Sequence, residues 1–151
     1  MNTPGNVEVK SESVTLSLKT IELLKGSINT PAAAPNELIN FNFNVSIESK
    51  ADEIQKLIFV IVTIEIKNEA QSEVFGSVVA SCVYLIDNFS EVVTKDVEGN
   101  IVIPKLLVDT INSISISTTR GIMFSTFKGT FLHNAILPII NPQIHLQPAQ
   151  Q

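Results

Sequence analysis

The sequence predicts an α+β fold in which a four-stranded antiparallel sheet carries one long C-terminal helix. Two observations support this prediction: four segments with strand-like hydrophobic patterns follow one another between residues 14 and 87, and one segment with helical spacing follows them. Mostly short polar links join the last three strand segments, which is typical of an antiparallel meander. The 151 residues have the size of one domain and need no disulfides to stabilise it.

The first strand is predicted in SVTLSLKTIELLKGSI, where the alternation of apolar residues changes phase at Lys19-Thr20. We expect a bulge or a bend there, because the apolar residues before and after the change point to opposite faces of a regular strand. These residues are Val14, Leu16 and Leu18, then Ile21 and Leu23. The next segment, NTPAAAPNE, contains two prolines within five residues and predicts a stiff, extended crossover to the second strand.

The other three strands have different patterns. LINFNFNVSIE alternates strictly, which predicts a strand with one apolar and one polar face. KLIFVIVTIEIKNE is nearly continuous and β-branched, which predicts a central strand covered on both faces along its first half. In VFGSVVASCVYLID, Gly76 indicates a bulge or a close approach, and Cys82, the single cysteine, is expected to be a small buried apolar residue.

The segment SISISTTRGIMFS, residues 113–125, fits either a strand or a helix. Its first residues alternate, but from Pro104 onward the apolar residues follow the i, i+4, i+7 spacing of a helix. A strand through Gly121 would be far beyond the usual length, so we favour the helix. Its predicted apolar stripe contains Leu107, Ile111, Ile114, Thr118 and Ile122, widened by Met123 and Phe127.

The end of this helix and the role of its small residues have two interpretations each. Gly121 and Lys128-Gly129 are both candidate ends, and we favour the second because it gives the helix a normal length. Ser113, Ser117, Gly121 and Ser125 recur every four residues, which allows close approach of another helix or is simply a serine-rich surface. The preceding segment NFSEVVTKDVEGN is expected to be a polar connection with one helical turn.

Composition excludes several classes of protein. The net charge is −5 and the basic residues are scattered, which argues against a nucleic-acid surface. No apolar run is long enough to span a bilayer and the N-terminus lacks a signal peptide, so we expect a cytoplasmic protein without membrane insertion. Mean hydropathy is +0.28, which indicates apolar surface that is buried between subunits or left free for partners. We expect flexible tails at residues 1–12 and 145–151, flanking a domain of residues 13–144.

The sequence carries no pattern of catalytic or ligand-binding residues, so we expect neither an enzyme nor a cofactor or metal site. His133 and His145 have no spaced carboxylate or cysteine partner, and the six glycines are dispersed and form no phosphate-binding loop. Arg120, the single arginine, is expected to be an exposed helix charge or to form a salt bridge at an interface.

The order of these elements resembles the SecB family of protein-export chaperones. TIELLKGSINTPAAAP is similar to the first strand and crossover of that family, and KGTFLHNAILPI is similar to the stretch that follows its long helix. The resemblance implies a homotetramer, a dimer of dimers, whose helices pack between the sheets. It also implies ATP-independent binding of unfolded polypeptides in hydrophobic grooves, which keeps preproteins competent for export.

The resemblance also assigns residues to two surfaces by position. The crossover and second strand would contact unfolded clients, together with the C-terminal loop, although each of these residues would otherwise be ordinary core. The client residues are Leu23, Leu24, Ile28, Ile39, Phe41, Phe43, Phe131, Leu132 and Ile136. The oligomer interface would contain Ser113, Ser117, Gly121, Ile114 and Ile122.

The sequence departs from the family where its members bind the motor protein SecA. The family uses acidic residues on the outer sheet surface, whereas the matching positions here are Lys25, Asn29 and Val78, and the sequence ends in LQPAQQ instead of an acidic tail. These departures argue against SecA as a partner. Two alternatives remain: a SecB-like chaperone associated with a toxin–antitoxin pair, and a β-rich ligand- or protein-binding module with a closed pocket.

Overall fold

The computed structural model describes residues 13–31 and 40–140. The two predicted tails, Ile39, His145 and most of the proline-flanked crossover lie outside these residues. The strands are β1 (Leu16–Ile28), β2 (Asn42–Asp52), β3 (Leu57–Lys67) and β4 (Val74–Ile86), followed by the short helix α1 (Phe89–Val92), the strands β5 (Thr94–Lys95) and β6 (Ile101–Val102), and the long helix α2 (Lys105–Thr126).

The predicted fold class is confirmed. The four long strands form one antiparallel sheet in the order β1-β4-β3-β2, so β2, β3 and β4 are a meander and β1 lies beside β4. The predicted helical turn is α1, whereas the small β5–β6 hairpin was not predicted. None of the helices in the described part of the chain is long and apolar enough to cross a membrane.

Strand β1 contains two bulges, and they change which face its side chains occupy. Its register against β4 shifts between Leu18 and Thr20, as the sequence predicts, and again between Leu23 and Lys25. Leu18 lies opposite Tyr84 and Leu23 opposite Ala80, which are both on the helix side of the sheet. Leu18 and Leu23 therefore share one face, because the extra residue in the predicted bulge returns the alternation to that face.

The core lies between the sheet and α2, on one face of the sheet. In β3 the helix-side residues Ile58, Val60, Val62, Ile64 and Ile66 are fully buried, and they pack against the equally buried helix-side residues of β4. The intervening residues Leu57, Phe59 and Ile61 are half-buried on the other face. Coverage of β3 on both faces was therefore a wrong prediction, because helix α2 lies on one face of the sheet.

Part of the predicted stripe of helix α2 faces the sheet, since Leu107, Ile111 and Met123 are buried, but two small polar residues lie there as well. Ser115 and Thr119 are completely buried, whereas Ile114 is 38% exposed. The serine hydroxyl lies 2.7 Å from the Tyr84 hydroxyl, and Thr119 donates to the Ser115 carbonyl at 2.7 Å, so both small polar side chains have partners in the core.

Helix α2 passes through Gly121 without interruption and ends where the favoured interpretation placed its end. The last helical residue is Thr126, and the Phe127 N–H still donates to the Met123 carbonyl at 3.0 Å. Gly129 follows with φ of +81°, in the left-handed region that stops a helix and favours glycine. The predicted stop at Lys128-Gly129 is therefore confirmed.

Candidate functional site

The helix-side face of the edge strand β1 carries an uncovered row of apolar side chains. Helix α2 lies over β3 and β4, so the side chains of β1 project beyond the edge of the helix. Leu18 is 41% exposed, Ile21 is 47% exposed and Leu23 is 49% exposed, although their strand partners on β4 are buried. Such a continuous apolar row on an edge strand indicates a binding surface.

The flank of helix α2 forms the second wall beside this row. The i, i+4 spacing places one row of α2 residues along this flank: Leu106, Thr110, Ile114, Thr118, Ile122 and Thr126. Two observations fix the row beside β1. Leu106 and Thr110 share a pocket with Val14 and Leu16, and the Thr126 methyl group lies 3.3 Å from the position that a Cβ on Gly26 would take.

We call this surface the β1–α2 furrow and define it by the helix-side residues of β1 and the α2 row. Its first end is an apolar depression of about 270 Å³ lined by Val14, Leu16 and Leu106, among others. Its second end lies at Gly26 and Ile28. A strand of the length of β1 extends about 40 Å, so the furrow accommodates a polypeptide segment of about a dozen extended residues.

An aromatic cluster lies at the second end of the furrow. Phe75 of β4 makes edge-to-face contacts with Phe41 and Phe131, at ring-centroid distances of 6.3 Å and 5.7 Å. Ile28 pairs with Gly76, the residue next to Phe75, so the end of β1 reaches the same region. Two predicted client regions that are far apart in the sequence therefore meet at one end of the sheet.

The comparisons with known proteins support this architecture. No family model and no curated protein matches the sequence. Among solved structures, the chain is similar to a SecB-like chaperone of Mycobacterium tuberculosis, solved in complex with a ChAD peptide from the HigA1 antitoxin. The TM-score is 0.58 at 13% identity, and the match covers 83% of this chain and 89% of that chain. The fold is SecB-like.

A second solved structure is more distant. It is a Streptococcus agalactiae protein of unknown function, with a TM-score of 0.37 and 10% identity, and the match covers 77% of this chain and 90% of that chain. A similarity at this level carries no argument about either fold or function.

Within the SecB-like fold, the predicted client residues occupy different environments. Leu24 at the second bulge and Ile28 are exposed on β1, together with Leu23. Phe41, Phe43 and Phe131 are half-buried, and all three pack against the core. Ile136 is 58% exposed, in the segment that follows helix α2.

The prediction that Leu132 contacts clients is corrected by the structure. It is 1% exposed, and its side chain packs against the backbone at Gly76, so it is a core residue and is not available to a client. The resemblance in turn missed Leu18, Ile21 and Leu106, which line the furrow. The phase change in β1 was the available signal, because a bulge at Lys19 brings Leu18 and Ile21 to the face that also carries Leu23.

The predicted oligomer residues lie on the surface of α2 away from the sheet. Ser113, Ser117 and Gly121 are exposed, and a Cβ on Gly121 would meet no atom within 4 Å. Ile114 and Ile122 lie between this row and β1. The row of small residues is therefore accessible to a second helix and continues into the wall of the furrow.

The structure corrects two further expectations, one for Val78 and one for Arg120. Val78 is completely buried on the helix side of the sheet, so it does not occupy an outer position matching a SecA-binding acid. Among the residues that the structure describes, Arg120 has no salt-bridge partner: its Nε donates to the Leu137 carbonyl at 2.8 Å and its Nη2 donates to the Pro138 carbonyl at 2.9 Å. This arginine therefore holds the chain that follows the helix.

The described residues contain no cluster of three potential metal ligands. His133 packs beside Phe124, with ring centroids 5.5 Å apart, and its Nδ1 is buried without a hydrogen-bond partner. Cys82 is a free, fully buried cysteine, as predicted, and burial raises the pKa of its thiol. The furrow therefore offers apolar contact surface and shape as its means of recognition.

Proposed function

We propose that this chain is a SecB-like, ATP-independent holdase of the cytoplasm that binds unfolded or non-native polypeptides in the β1–α2 furrow. The uncovered apolar face of β1 is the observation that supports this proposal. Non-native chains expose apolar side chains, and an apolar furrow buries them without requiring a particular sequence. The similar chaperone of M. tuberculosis was solved in complex with a peptide from an antitoxin, which supports a polypeptide client in this fold.

The partial exposure of the furrow residues determines how many contacts a client must make. Burying the free half of one leucine or isoleucine side chain contributes about 1 kcal/mol. One such contact is too weak to hold a chain, because 1.4 kcal/mol is a factor of ten and a single contact therefore changes affinity by less than tenfold. Stable capture therefore requires a long apolar segment that makes several of these contacts together, which selects unfolded chains over folded proteins.

Replacing Leu23 with aspartate is expected to weaken client capture without unfolding the protein. The side chain is half-exposed, so the sheet tolerates the change, but a client would have to bury the new carboxylate. We expect about a 5- to 10-fold higher chaperone concentration for half-maximal suppression of aggregation, since each 1.4 kcal/mol changes affinity tenfold. The measurement is light scattering of a reduced, unfolded protein at increasing chaperone ratios.

The matched control is Thr20→Asp, which places the same charge on the opposite face of β1, where Thr20 pairs with Val83. This variant should suppress aggregation like the wild type. A wild-type protein that fails to suppress aggregation at near-stoichiometric ratio would contradict the proposed function. Equal losses in both aspartate variants would show that the furrow is not the binding surface.

We further propose that the chain assembles as a homotetramer, a dimer of dimers, through the exposed row of α2. Ser113, Ser117 and Gly121 would let a second helix approach closely, and Ile114 and Ile122 would supply the apolar contacts beside it. Assembly would close part of the apolar surface and leave the rest for clients, which is consistent with the high mean hydropathy.

Replacing Gly121 with leucine is expected to break this assembly into dimers or monomers. No neighbouring atom lies within 4 Å of the new Cβ, so the isolated subunit folds normally, while the larger side chain separates the two helices. Gly121→Ala is the control and should retain the wild-type mass, because a methyl group keeps the row small. Size-exclusion chromatography with light scattering measures the mass; an unchanged mass for Gly121→Leu would remove this row from the interface.

The alternative of a ligand-carrier module predicts a closed pocket and a saturable small ligand. On the sheet face away from α2, a depression of about 440 Å³ has Phe59 and Ile61 in its lining. The exposed residues Glu48 and Lys50 also line it, so it is a surface depression with charged walls. This geometry differs from the enclosed apolar pocket that such a carrier requires.

A further inference from the structure

The flank of α2 opposite the β1–α2 furrow is occupied by the protein's own chain. Residues 135–140, which we call the C-terminal segment, follow a turn closed by the Ala135 N–H and the Leu132 carbonyl at 3.0 Å. The segment has no regular secondary structure, but its burial alternates from Ala135 to Pro138. Ala135 is 2% exposed and Leu137 is 1% exposed, whereas Ile136 between them is 58% exposed. An extended peptide in a groove has the same pattern, with alternate side chains pointing inward.

Arg120 holds this segment by its main chain. With 3.6 residues per turn, Arg120 lies about 200° around the helix from Thr118, and therefore on the flank away from β1. Its guanidinium donates to the carbonyl oxygens of Leu137 at 2.8 Å and Pro138 at 2.9 Å. Carbonyl groups are present in every residue, so this recognition depends on an extended backbone and is independent of sequence.

The remaining contacts of the segment are apolar. Leu137 and Ala135 belong to the core cluster, and Ile140 packs against it. Among the described residues, the backbone hydrogen bonds outside regular elements include none that joins residues 136–140 to a strand. The segment is therefore attached by the apolar side chains of Ala135, Leu137 and Ile140 and by two carbonyl groups, which are interactions that any extended apolar polypeptide can make.

We propose that the C-terminal segment is an internal peptide ligand in a second polypeptide-binding groove, and that an extended apolar segment of a client replaces it there. Arg120 then donates to main-chain carbonyl groups of the client. This inference rests on the proposed function, because the client has the same chemistry as one bound in the furrow. It adds a second binding site on the other flank of α2. Access to this site is controlled, because the groove opens only when the C-terminal segment leaves it.

The first test uses full-length protein and a fluorescently labelled synthetic peptide, HNAILPII, with the sequence of residues 133–140. In the wild type the attached segment competes with the peptide. Leu137→Asp should expel the attached segment and bind the peptide at least about 10-fold more tightly, because one buried carboxylate costs several kcal/mol and 1.4 kcal/mol is a factor of ten. Adding Arg120→Met to Leu137→Asp should weaken this binding about 5- to 10-fold by removing two charge-assisted hydrogen bonds.

Two control variants separate this groove from other binding surfaces. Ile139→Asp changes a residue of the same segment that is 96% exposed, and it should bind the peptide like the wild type. Adding Leu23→Asp, in the furrow, to Leu137→Asp should leave peptide affinity unchanged. Peptide affinity equal in the wild type and folded Leu137→Asp, or affinity that depends on Leu23 and not on Arg120, would overturn the proposal.

A second measurement keeps the proposal testable if Leu137→Asp does not fold. Hydrogen exchange of the wild type should become faster at the amide of Ala135, which donates to the Leu132 carbonyl, when the peptide is added in excess. Unchanged exchange at saturating peptide overturns the second groove. Aggregation suppression by the wild type, with its loss in Leu23→Asp, tests the proposed function independently, so either hypothesis can fail while the other holds.

Discussion

Replacing Gly76 with alanine is expected to lower the free energy of unfolding by about 2 kcal/mol, because the added methyl group overfills a packed site. A Cβ at this position would lie 2.7 Å from Leu132 Cδ1, 2.9 Å from the Ser27 carbonyl oxygen and 3.2 Å from Phe127 Cζ. The two side chains can shift, but the carbonyl belongs to the backbone of β1 and moves only if the sheet distorts. The melting temperature should fall by about 4–8 °C for a domain of this size.

Gly121→Ala is the matched control, because it makes the same chemical change where the chain is open. A Cβ at Gly121 meets nothing within 4 Å, and alanine in a helix interior is about 1 kcal/mol more favourable than glycine. The two glycine substitutions should therefore change stability in opposite directions. Urea unfolding followed by circular dichroism measures both, and a Gly76→Ala protein as stable as the wild type would contradict the close packing of Leu132 on the sheet.

This site also links stability to the candidate function. Gly76 pairs with Ile28 at the second end of the furrow, and Leu132 holds the loop that carries Phe131. A distortion at Gly76 therefore reaches both the end of β1 and the aromatic cluster. We therefore expect the Gly76→Ala protein to bind clients more weakly than the wild type, even at a temperature where it is still folded and although its furrow residues are unchanged.

The sequence determines the elements of this fold well because their signals are local. The strict alternation of β2, the phase change at Lys19 and the glycine at 129 each act through a few neighbouring residues, and the structure contains the strand, the bulge and the helix end that they predict. The second bulge, at Leu24, was not predicted, because Leu23 and Leu24 are both apolar and hide the change of phase.

It is harder to predict which side chains of a helix or strand face the core, because this depends on partners far away in the sequence. Ser115 faces the sheet because it meets Tyr84, which lies 31 residues earlier, and serine alone gives no sign of this. Arg120 is similar, since its two carbonyl partners follow it by 17 and 18 residues. Such pairings appear only once the helix has docked on the sheet.

The candidate site was predicted in part for the same reason. The resemblance identified Leu23, Leu24 and Ile28, which are exposed, but it also included Leu132, which is buried. The β1–α2 furrow exists because of the lateral position of α2, which covers β3 and β4 and stops short of the edge strand. No single residue encodes that position; it results from the packing of the whole helix-side face.

Tyr84 holds helix α2 at its depth on the sheet through a buried pair of hydrogen bonds. Its hydroxyl donates to the Ile111 carbonyl at 3.1 Å and lies 2.7 Å from the Ser115 hydroxyl, and the residue is 1% exposed. Burial disfavours the phenolate and raises the pKa of Tyr84 to about 12. Ionisation of this tyrosine therefore opposes the docking that shapes the furrow.

We expect alkaline pH to destabilise the protein through this residue. The folded pKa lies above the ordinary tyrosine value of 10.0, so the stabilisation is fully present below pH 10 and is lost as pH rises toward about 12. Between these values the unfolded chain has lost the proton that the folded chain keeps, which lowers the free energy of unfolding by about 1.4 kcal/mol per pH unit, or about 3 kcal/mol in total. Burial raises the pKa of Cys82 as well, and it acts in the same direction above pH 9.

The chain offers a direct measurement of this ionisation, because it contains one tyrosine and no tryptophan. Tyrosinate absorbance at about 295 nm therefore reports Tyr84 alone, and its midpoint should lie near 12 in the folded protein and near 10 in urea. The Tyr84→Phe variant should lose about 1–2 kcal/mol at neutral pH, through its lost hydrogen bonds. The difference in stability between the two proteins should then shrink and change sign as pH rises from 10 to 12, because only the wild type loses the contribution of about 3 kcal/mol. A folded-state midpoint near 10 would mean that the helix does not cover this hydroxyl.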